Sequence, residues 1–492
     1  MSESSGAQRV SVLIIGAGAG GLCMAARLRS EGFEDFVMLE KSEGVGGTWR
    51  DNSYPDAACD VPSHFYSFSF APNPDWSRKW AKQPEILEYF EGLVDRFSLA
   101  GNLRLETEVA EAVWSDADCR WSVRTTHGDT YEADVVVSGL GQLNMPHVPD
   151  IEGLADFGGT VFHSARWDHD HDLAGERVGV IGVGASAIQF VPPVVREAAH
   201  TTLFQRSANY VAPKPDREFK AWERWAFRNI PGVNRAYRFW IWAKLEARFS
   251  LMRRNSALGR MLAKRYEAEV SKMASDQLPV DALVPDYPPG CKRVLIADDW
   301  FPAITSDSAQ VVTDDVVGIT SDGVDTADGR HFELDTIIFG TGFRSTEFLT
   351  PLKITGSGGR DLNEAWGGGA VAYLGLSVAG FPNMFMLYGP NTNLGHNSIL
   401  FMIEQQVDYV LAAMEQLRRR GAMAIDVTEG ALTRWDEEIV RRSKETVWSA
   451  DCTSWYKDDE GRITNNWIGH TTEYRRRMRS PKWEDWRFVR CD

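Results

Sequence analysis

The sequence predicts an α/β fold of two Rossmann-like, dinucleotide-binding domains with a helical insertion, and three observations carry that prediction. Two glycine fingerprints stand far apart in one chain, Gly16-x-Gly18-x-x-Gly21 and Gly182-x-Gly184-x-x-Ala187. Between them lies a segment in which Phe157, Gly159, His163, Trp167 and Asp168 are spaced F-x-G-x-x-x-H-x-x-x-W-D. After the second fingerprint comes a long basic, Trp-rich stretch of helical pattern, Arg217 to Lys272. On this reading residues 1–150 and 340–492 form the first domain, 151–214 and 290–339 the second, and 215–289 the insertion.

The first domain opens with an apolar, β-branched run, Val10 to Ile15, that stops at Gly16. Apolar residues then recur at helical spacing from Leu22 to Leu28, and a second strand, Phe36 to Leu39, ends at Glu40. Strand, glycine turn, helix and strand in that order bring a backbone close to a pyrophosphate at a helix N-terminus. Glu40 then stands where a carboxylate accepts hydrogen bonds from a ribose 2′-OH. The Gly44 to Trp49 loop, reading G-V-G-G-T-W, and the stretch through Cys59, Asp60 and Val61 are too long for an ordinary βα connection, which marks them as functional. Gly47, Thr48 and Trp49 in that loop, Tyr66 in the aromatic run Tyr66 to Phe70, and Val109 are expected at the first cofactor. Asp60 beside those aromatics needs a partner. Strands are expected at Leu103 to Val109 and Trp121 to Thr125, in a small sheet of their own, and at Ala133 to Gly139.

The second fingerprint repeats the first, with a strand at Arg177 to Ile181 and a helix from Ser186. Gly18 and Glu40 are 22 positions apart, and so are Gly184 and Arg206. An acid pairs with a free 2′-OH, whereas an arginine suits a 2′-phosphate. The first cradle is therefore expected to hold FAD and the second NADPH. The stretch from Arg217 to Lys272 is expected to pack over the nucleotide domain with a solvated basic face; contact with a membrane surface or a partner is the alternative. Further strands are expected at Val294 to Ala297, Thr336 to Phe339, Tyr373 to Val378 and Asn383 to Tyr388, and a helix near Ser398.

Composition narrows the function. The formal net charge of -16 argues against a nucleic-acid partner, which needs a basic face. No apolar run approaches a membrane span, and Met1 to Gln8 is short and polar, which together imply a cytoplasmic protein. Cys23, Cys59, Cys119, Cys291, Cys452 and Cys491 show no paired spacing, so neither a metal site nor a disulfide framework is expected. That spacing also counts against the disulfide reductases. The run His169-Asp170-His171-Asp172 reads as a linker rather than a metal site.

With these residues in hand, the whole chain resembles the class B flavoprotein monooxygenases, and specifically the type I Baeyer–Villiger monooxygenases. The two fingerprints around the Phe157–Asp168 pattern carry the resemblance, with G-G-T-W at Gly46 to Trp49, Y-P-x-x-x-C-D at Tyr54 to Asp60, Gln205-Arg206, Lys292-Arg293 and the Trp455 loop. The resemblance implies that Arg293 stabilises a negatively charged C4a-peroxyflavin, with Asp60 as its paired carboxylate. It implies a 2′-phosphate clamp of Arg206, Ser207 and Lys292. His163 would couple domain movements, and Trp455 would close over bound NADP. The reaction would insert one oxygen atom of O₂ beside a ketone carbonyl, giving an ester or lactone. The alternatives are a monooxygenase acting on sulfide or amine heteroatoms and a non-catalytic NADPH-binding protein. The chain departs from the family at Ser53, Asp56 and Ala58 and in the loop Lys457 to Gly461, and it names neither the ketone nor the oligomeric state.

Overall fold

The computed structural model describes residues 7–490 apart from 255, 276, 277 and 453; Cys491 and most of Met1–Gln8 lie outside the described residues. Strand β1 (Gln8–Ile15) is buried from Val12 to Ile15, as a parallel strand covered on both faces must be. Helix α1 (Ala19–Ser30) connects it to β2 (Phe36–Leu39), which pairs parallel to it, and β2 pairs in turn with β3 (Leu103–Arg104). The strands β4 (Val109–Ser115), β5 (Arg120–Thr125) and β6 (Thr130–Ser138) form an antiparallel meander whose last member returns parallel to β1. The expected strand Leu103–Val109 is thus two elements. Glu106, at a φ of 51°, turns the chain between them, and Thr107 N–H donates to Glu40 O at 2.8 Å. Nor is there a separate small sheet here, because β3 to β6 all belong to one eight-stranded sheet.

The second sheet is wholly parallel. It contains β7 (Thr160–His163), β8 (Arg177–Ile181), β9 (His200–Phe204), β10 (Ala309–Val312) and β11 (Thr336–Phe339), in the order β10-β9-β8-β11-β7. Helix α2 (Ala187–Glu197) links β8 to β9. Beyond β11 the chain returns to the first sheet: β12 (Lys353–Thr355) pairs with β4, and β13 (Met384–Met386) with β6. The two crossings between the sheets lie side by side, with His147 N–H donating to Gly342 O and Arg344 N–H to Met145 O, each at 2.9 Å. The expected strand Tyr373–Val378 is instead a turn. Leu374 and Gly375 take positive φ, and Tyr373 N–H donates to Ser377 O. Positive φ at Asn383 and Tyr388 likewise trims the next strand to β13, and Val294–Ala297 shortens to Leu295–Ile296. The helix expected near Ser398 runs from Ile399 to Arg420.

The insertion does not sit over the nucleotide domain alone. Its helices α3 (Ala221–Asn229) and α4 (Val233–Ala247) rest on the loop around His64, whose ring lies 4.2 Å from Phe227 and 5.2 Å from Tyr237. Helix α5 (Ala257–Val270) packs toward the second sheet, with Tyr266 OH donating to Asn209 O. The outer face carries exposed aromatics as well as cations, not the merely solvated basic face expected. One cysteine expectation is overturned: Cys291 and Cys452 form a disulfide across 161 positions. Spacing along a chain cannot reveal a pair that only folding brings together.

Candidate active site

Both fingerprints open onto one cleft of about 910 Å³ between the two sheets. In the first, Gly16 follows β1 at a φ of 92°, and its N–H donates to Leu39 O at 2.7 Å. A Cβ on Gly21 would lie 1.8 Å from Gly16 O, so packing excludes any side chain there. Gly18 differs: its missing Cβ would meet nothing closer than Gly47 Cα at 3.6 Å, and the space it leaves belongs to the cleft. Glu40, at the end of β2, is buried. It accepts from Ala17 N–H at 2.6 Å and Ser42 N–H at 2.9 Å, which fixes its carboxylate on the cleft wall. Gly47, Thr48, Trp49, Tyr66 and Val109 line the same wall. Trp49 Nε1–H donates to Tyr66 OH at 3.0 Å, and burial holds the Tyr66 phenol well above its ordinary pKa.

The second fingerprint is built alike. Gly182 has a φ of 92°, and a Cβ there would stand 2.9 Å from Gly340 O at the second crossing. Gly184 and Ser186 line the cleft. Arg206 follows β9 at an exposed edge of the cleft, and Lys292 Nζ donates to Ser207 Oγ at 2.8 Å. Burial lowers the Lys292 pKa, and the neighbouring Arg206 lowers it further. Among the described residues neither cation is hydrogen-bonded to a carboxylate, and two mutually repelling cations beside the Ser207 hydroxyl suit a dianion.

Asp60 and Arg293, 233 positions apart, meet between the cradles. Arg293 Nε–H donates to Asp60 Oδ2 at 3.0 Å. Its terminal N–H groups have no hydrogen-bond partner among the described residues, and the side chain lines the cleft. Burial is the largest single influence and disfavours the Arg293 charge, but Asp60, Tyr456 and Cys59 together outweigh it and hold the pKa above the ordinary arginine value. The Asp60 loop is tied to α2 by Gln189. Its Oε1 accepts from Ala58 N–H at 3.1 Å and Tyr54 OH at 3.2 Å, and its Nε2 donates to Ala58 O at 3.0 Å. Trp455 also lines the cleft, its carbonyl accepting from Ser345 Oγ at 3.0 Å and Asn465 Nδ2 at 2.9 Å. A smaller cavity of about 100 Å³ abuts Asp60 from the insertion side, walled in part by Trp80, Tyr237 and Ile241.

Sequence reasoning missed Gln189, Tyr388 and Asn393 on the cleft wall, the last two joined by a 2.7 Å hydrogen bond. Polar and aromatic residues of no special spacing offered no signal. Conversely, none of Phe157, Gly159, His163, Trp167 and Asp168 lines the cleft. They brace it from behind. A Cβ on Gly159 would lie 2.1 Å from Asp335 O, and Phe157 packs in the apolar cluster behind the second sheet. His163 ends β7, its Nδ1 accepts from Ala165 N–H, and its ring is 6.1 Å from Phe343 at the second crossing. Burial pushes its pKa down to about 4, so it is a neutral packing element at neutral pH. Trp167 packs on Phe162 and on Phe190 of α2, and Asp168 accepts from Asp170 N–H. His169 bonds Ser53, whereas His171 bonds Glu176 and Thr336, so the two histidines share no centre.

Residues 13–231 match the family model described as pyridine nucleotide-disulphide oxidoreductase. A Baeyer–Villiger monooxygenase of Streptomyces coelicolor is 44% identical over 96% of this chain and 91% of its own. One of Pseudomonas aeruginosa is 42% identical over 95% of this chain and 89% of its own. Among solved structures, a closed form of cyclohexanone monooxygenase superposes with a TM-score of 0.88 at 28% identity, covering 98% of this chain and 100% of the other. An oxidised steroid monooxygenase bound to NADP does so with a TM-score of 0.85 at 31% identity, covering 98% and 100%. Identity at that level over nearly the whole length, on this two-sheet fold, places the chain in the family of Baeyer–Villiger monooxygenases.

Proposed function

We propose that the chain oxidises a ketone to an ester or lactone with O₂, holding FAD in the first cradle and NADPH in the second. The observation that carries this reading is the Arg293–Asp60 pair, at 3.0 Å, in the one cleft that both cradles share. The space at Gly18 and the fixed Glu40 carboxylate fit a pyrophosphate and ribose, and Arg206, Ser207 and Lys292 fit a 2′-phosphate. The bound cofactors supply the reducing electrons and activate O₂. Arg293 supplies a permanent positive charge, through N–H groups that Asp60 leaves free, where negative charge develops on reacting oxygen. Asp60 sets the angle of the guanidinium, and Trp455 shields the cleft from water. The first-cofactor domain would comprise 1–150 and 340–492, the second 151–214 and 290–339, with 215–289 inserted. A cytoplasmic location goes with this reading, and the Cys291–Cys452 disulfide runs against it, because a reducing compartment rarely keeps such a bond.

The test is NADPH-dependent O₂ uptake over linear, cyclic and aromatic ketones, with products identified. Ester or lactone from at least one ketone is expected. Oxidation of sulfides or amines with no ester from any ketone would overturn the reading.

A further inference from the structure

The insertion exposes large apolar side chains to an unusual degree. Trp222 is 65% exposed, Trp225 60%, Phe239 64%, Trp240 55% and Met261 59%; elsewhere among the described residues only Val317, at 54%, is comparable. Their direction follows from what lies beneath. Helices α3 and α4 rest on one buried cluster, with Phe227 and Tyr237 packed on His64 and on each other at 5.1 Å. Trp225 is two residues from Phe227, and Phe239 two from Tyr237. Two residues turn about 200° around a helix, so both side chains point away from the protein. Trp222 lies one turn before Trp225 on the same side. Arg224 and Arg235 flank these aromatics, exposed and with no hydrogen bond or ion pair among the described residues.

Charge selects the occupant. The stretch 217–272 holds 14 Lys and Arg against five Asp and Glu, in a chain whose net charge is -16. Two copies of so basic a face repel each other, which argues against self-association there. Tryptophan and phenylalanine among unpaired arginines match the headgroup zone of an anionic bilayer, where rings enter the acyl boundary and guanidinium groups meet lipid phosphates. Among the described residues no helix is long and apolar enough to cross a membrane, so the fitting mode is contact in the plane of the surface. We propose that the α3–α4 hairpin docks the protein on the surface of an anionic lipid bilayer. The docking does not depend on which reaction the cleft performs.

The experiment is co-sedimentation of the flavin-loaded full chain with vesicles of phosphatidylcholine alone or with phosphatidylglycerol. Binding to the anionic vesicles should be at least about tenfold tighter and should weaken in high salt. The variant Trp222→Ser/Trp225→Ser/Phe239→Ser should lose at least about tenfold in affinity while keeping wild-type flavin content. Arg224→Gln/Arg235→Gln, which alters no packed side chain, should lose most of the preference for anionic lipid. No retention on anionic vesicles would overturn the proposal, as would equal retention on both vesicle types or variants that bind like wild type. A dimer abolished by the aromatic substitutions, without vesicle binding, would show the face to be a self-interface instead.

Discussion

Arg293 gives one N–H group to Asp60 and turns the others toward the cleft, so its loss removes a charge from the cleft without unmaking either cradle. Arg293→Ala should therefore fold and retain flavin while ester formation falls by about 10²–10³ or more. Arg293→Lys should recover only part, because an ammonium cannot hold Asp60 and keep a planar fork of donors. Product quantification from any accepted ketone checks both, and ester at near wild-type rate from the alanine variant would remove Arg293 from the chemistry. The dianion site separates in a graded way. Lys292 is half-buried and bonded to Ser207, whereas Arg206 is exposed. Lys292→Ala should raise the KM for NADPH by about 10–100-fold, Arg206→Ala by less, and neither should much affect the KM for NADH. Equal effects on the two nucleotides would refute a 2′-phosphate clamp. Of these residues Arg206 was expected by counting from the second fingerprint, but the strand register puts Gln205 in the place of Glu40 and Arg206 one position beyond it. Gln189 was not expected, because its value lies in reaching Ala58 from another domain.

At the level of elements, the three glycines of the first turn do different work, and the difference is measurable. A Cβ on Gly21 would collide with the backbone of Gly16, whereas one on Gly18 would enter open cleft. Gly21→Ala should therefore destabilise the fold by about 3 kcal/mol, seen as a lowered denaturation midpoint. Gly18→Ala should keep the wild-type midpoint of the apoprotein yet bind flavin at least about tenfold more weakly, because its methyl occupies the pyrophosphate's place. A Gly18→Ala protein with full flavin content would break the link between this turn and the cofactor. The elements read correctly from sequence are those where local preference and burial agree: buried β-branched runs ending in glycine, and the long helix after Ser398. Tyr373–Val378 was misread because its apolar residues are buried by a turn whose positive φ values no periodicity reports.

Over the whole molecule, the insertion and the first sheet are joined through His64, a buried ring caged by Phe219, Phe227 and Tyr237 with Arg238 bonded to its carbonyl. Burial, followed by Arg238, pushes its pKa down to about 3 from 6.5. Above pH 6.5 the ring is neutral in both folded and unfolded chains, and its packing contributes fully. Between about 6.5 and 3 only the unfolded chain takes up the proton, so stability falls as pH drops through that window, by at most about 1.4 kcal/mol per pH unit from this group. Urea midpoints at pH 7.5 and 5 should therefore differ less in His64→Phe than in wild type. The same pH slope in both proteins would show that His64 is not the sensor.

The sequence by itself determined the two glycine turns, the acid at the end of β2, and the family whose motif spans them. Those features are local: a tight turn and the strand on either side of it depend on residues a short way along the chain. Tertiary structure decided that Asp60 meets Arg293, that Cys291 meets Cys452, and that the Phe157–Asp168 motif braces the cleft instead of lining it. It also decided that Trp222, Trp225 and Trp240 of the insertion are exposed while Trp242 packs inward and donates to Thr471. Aromatic periodicity says that a helix has an apolar side. Only the packing around His64 determines which of those rings are covered by protein.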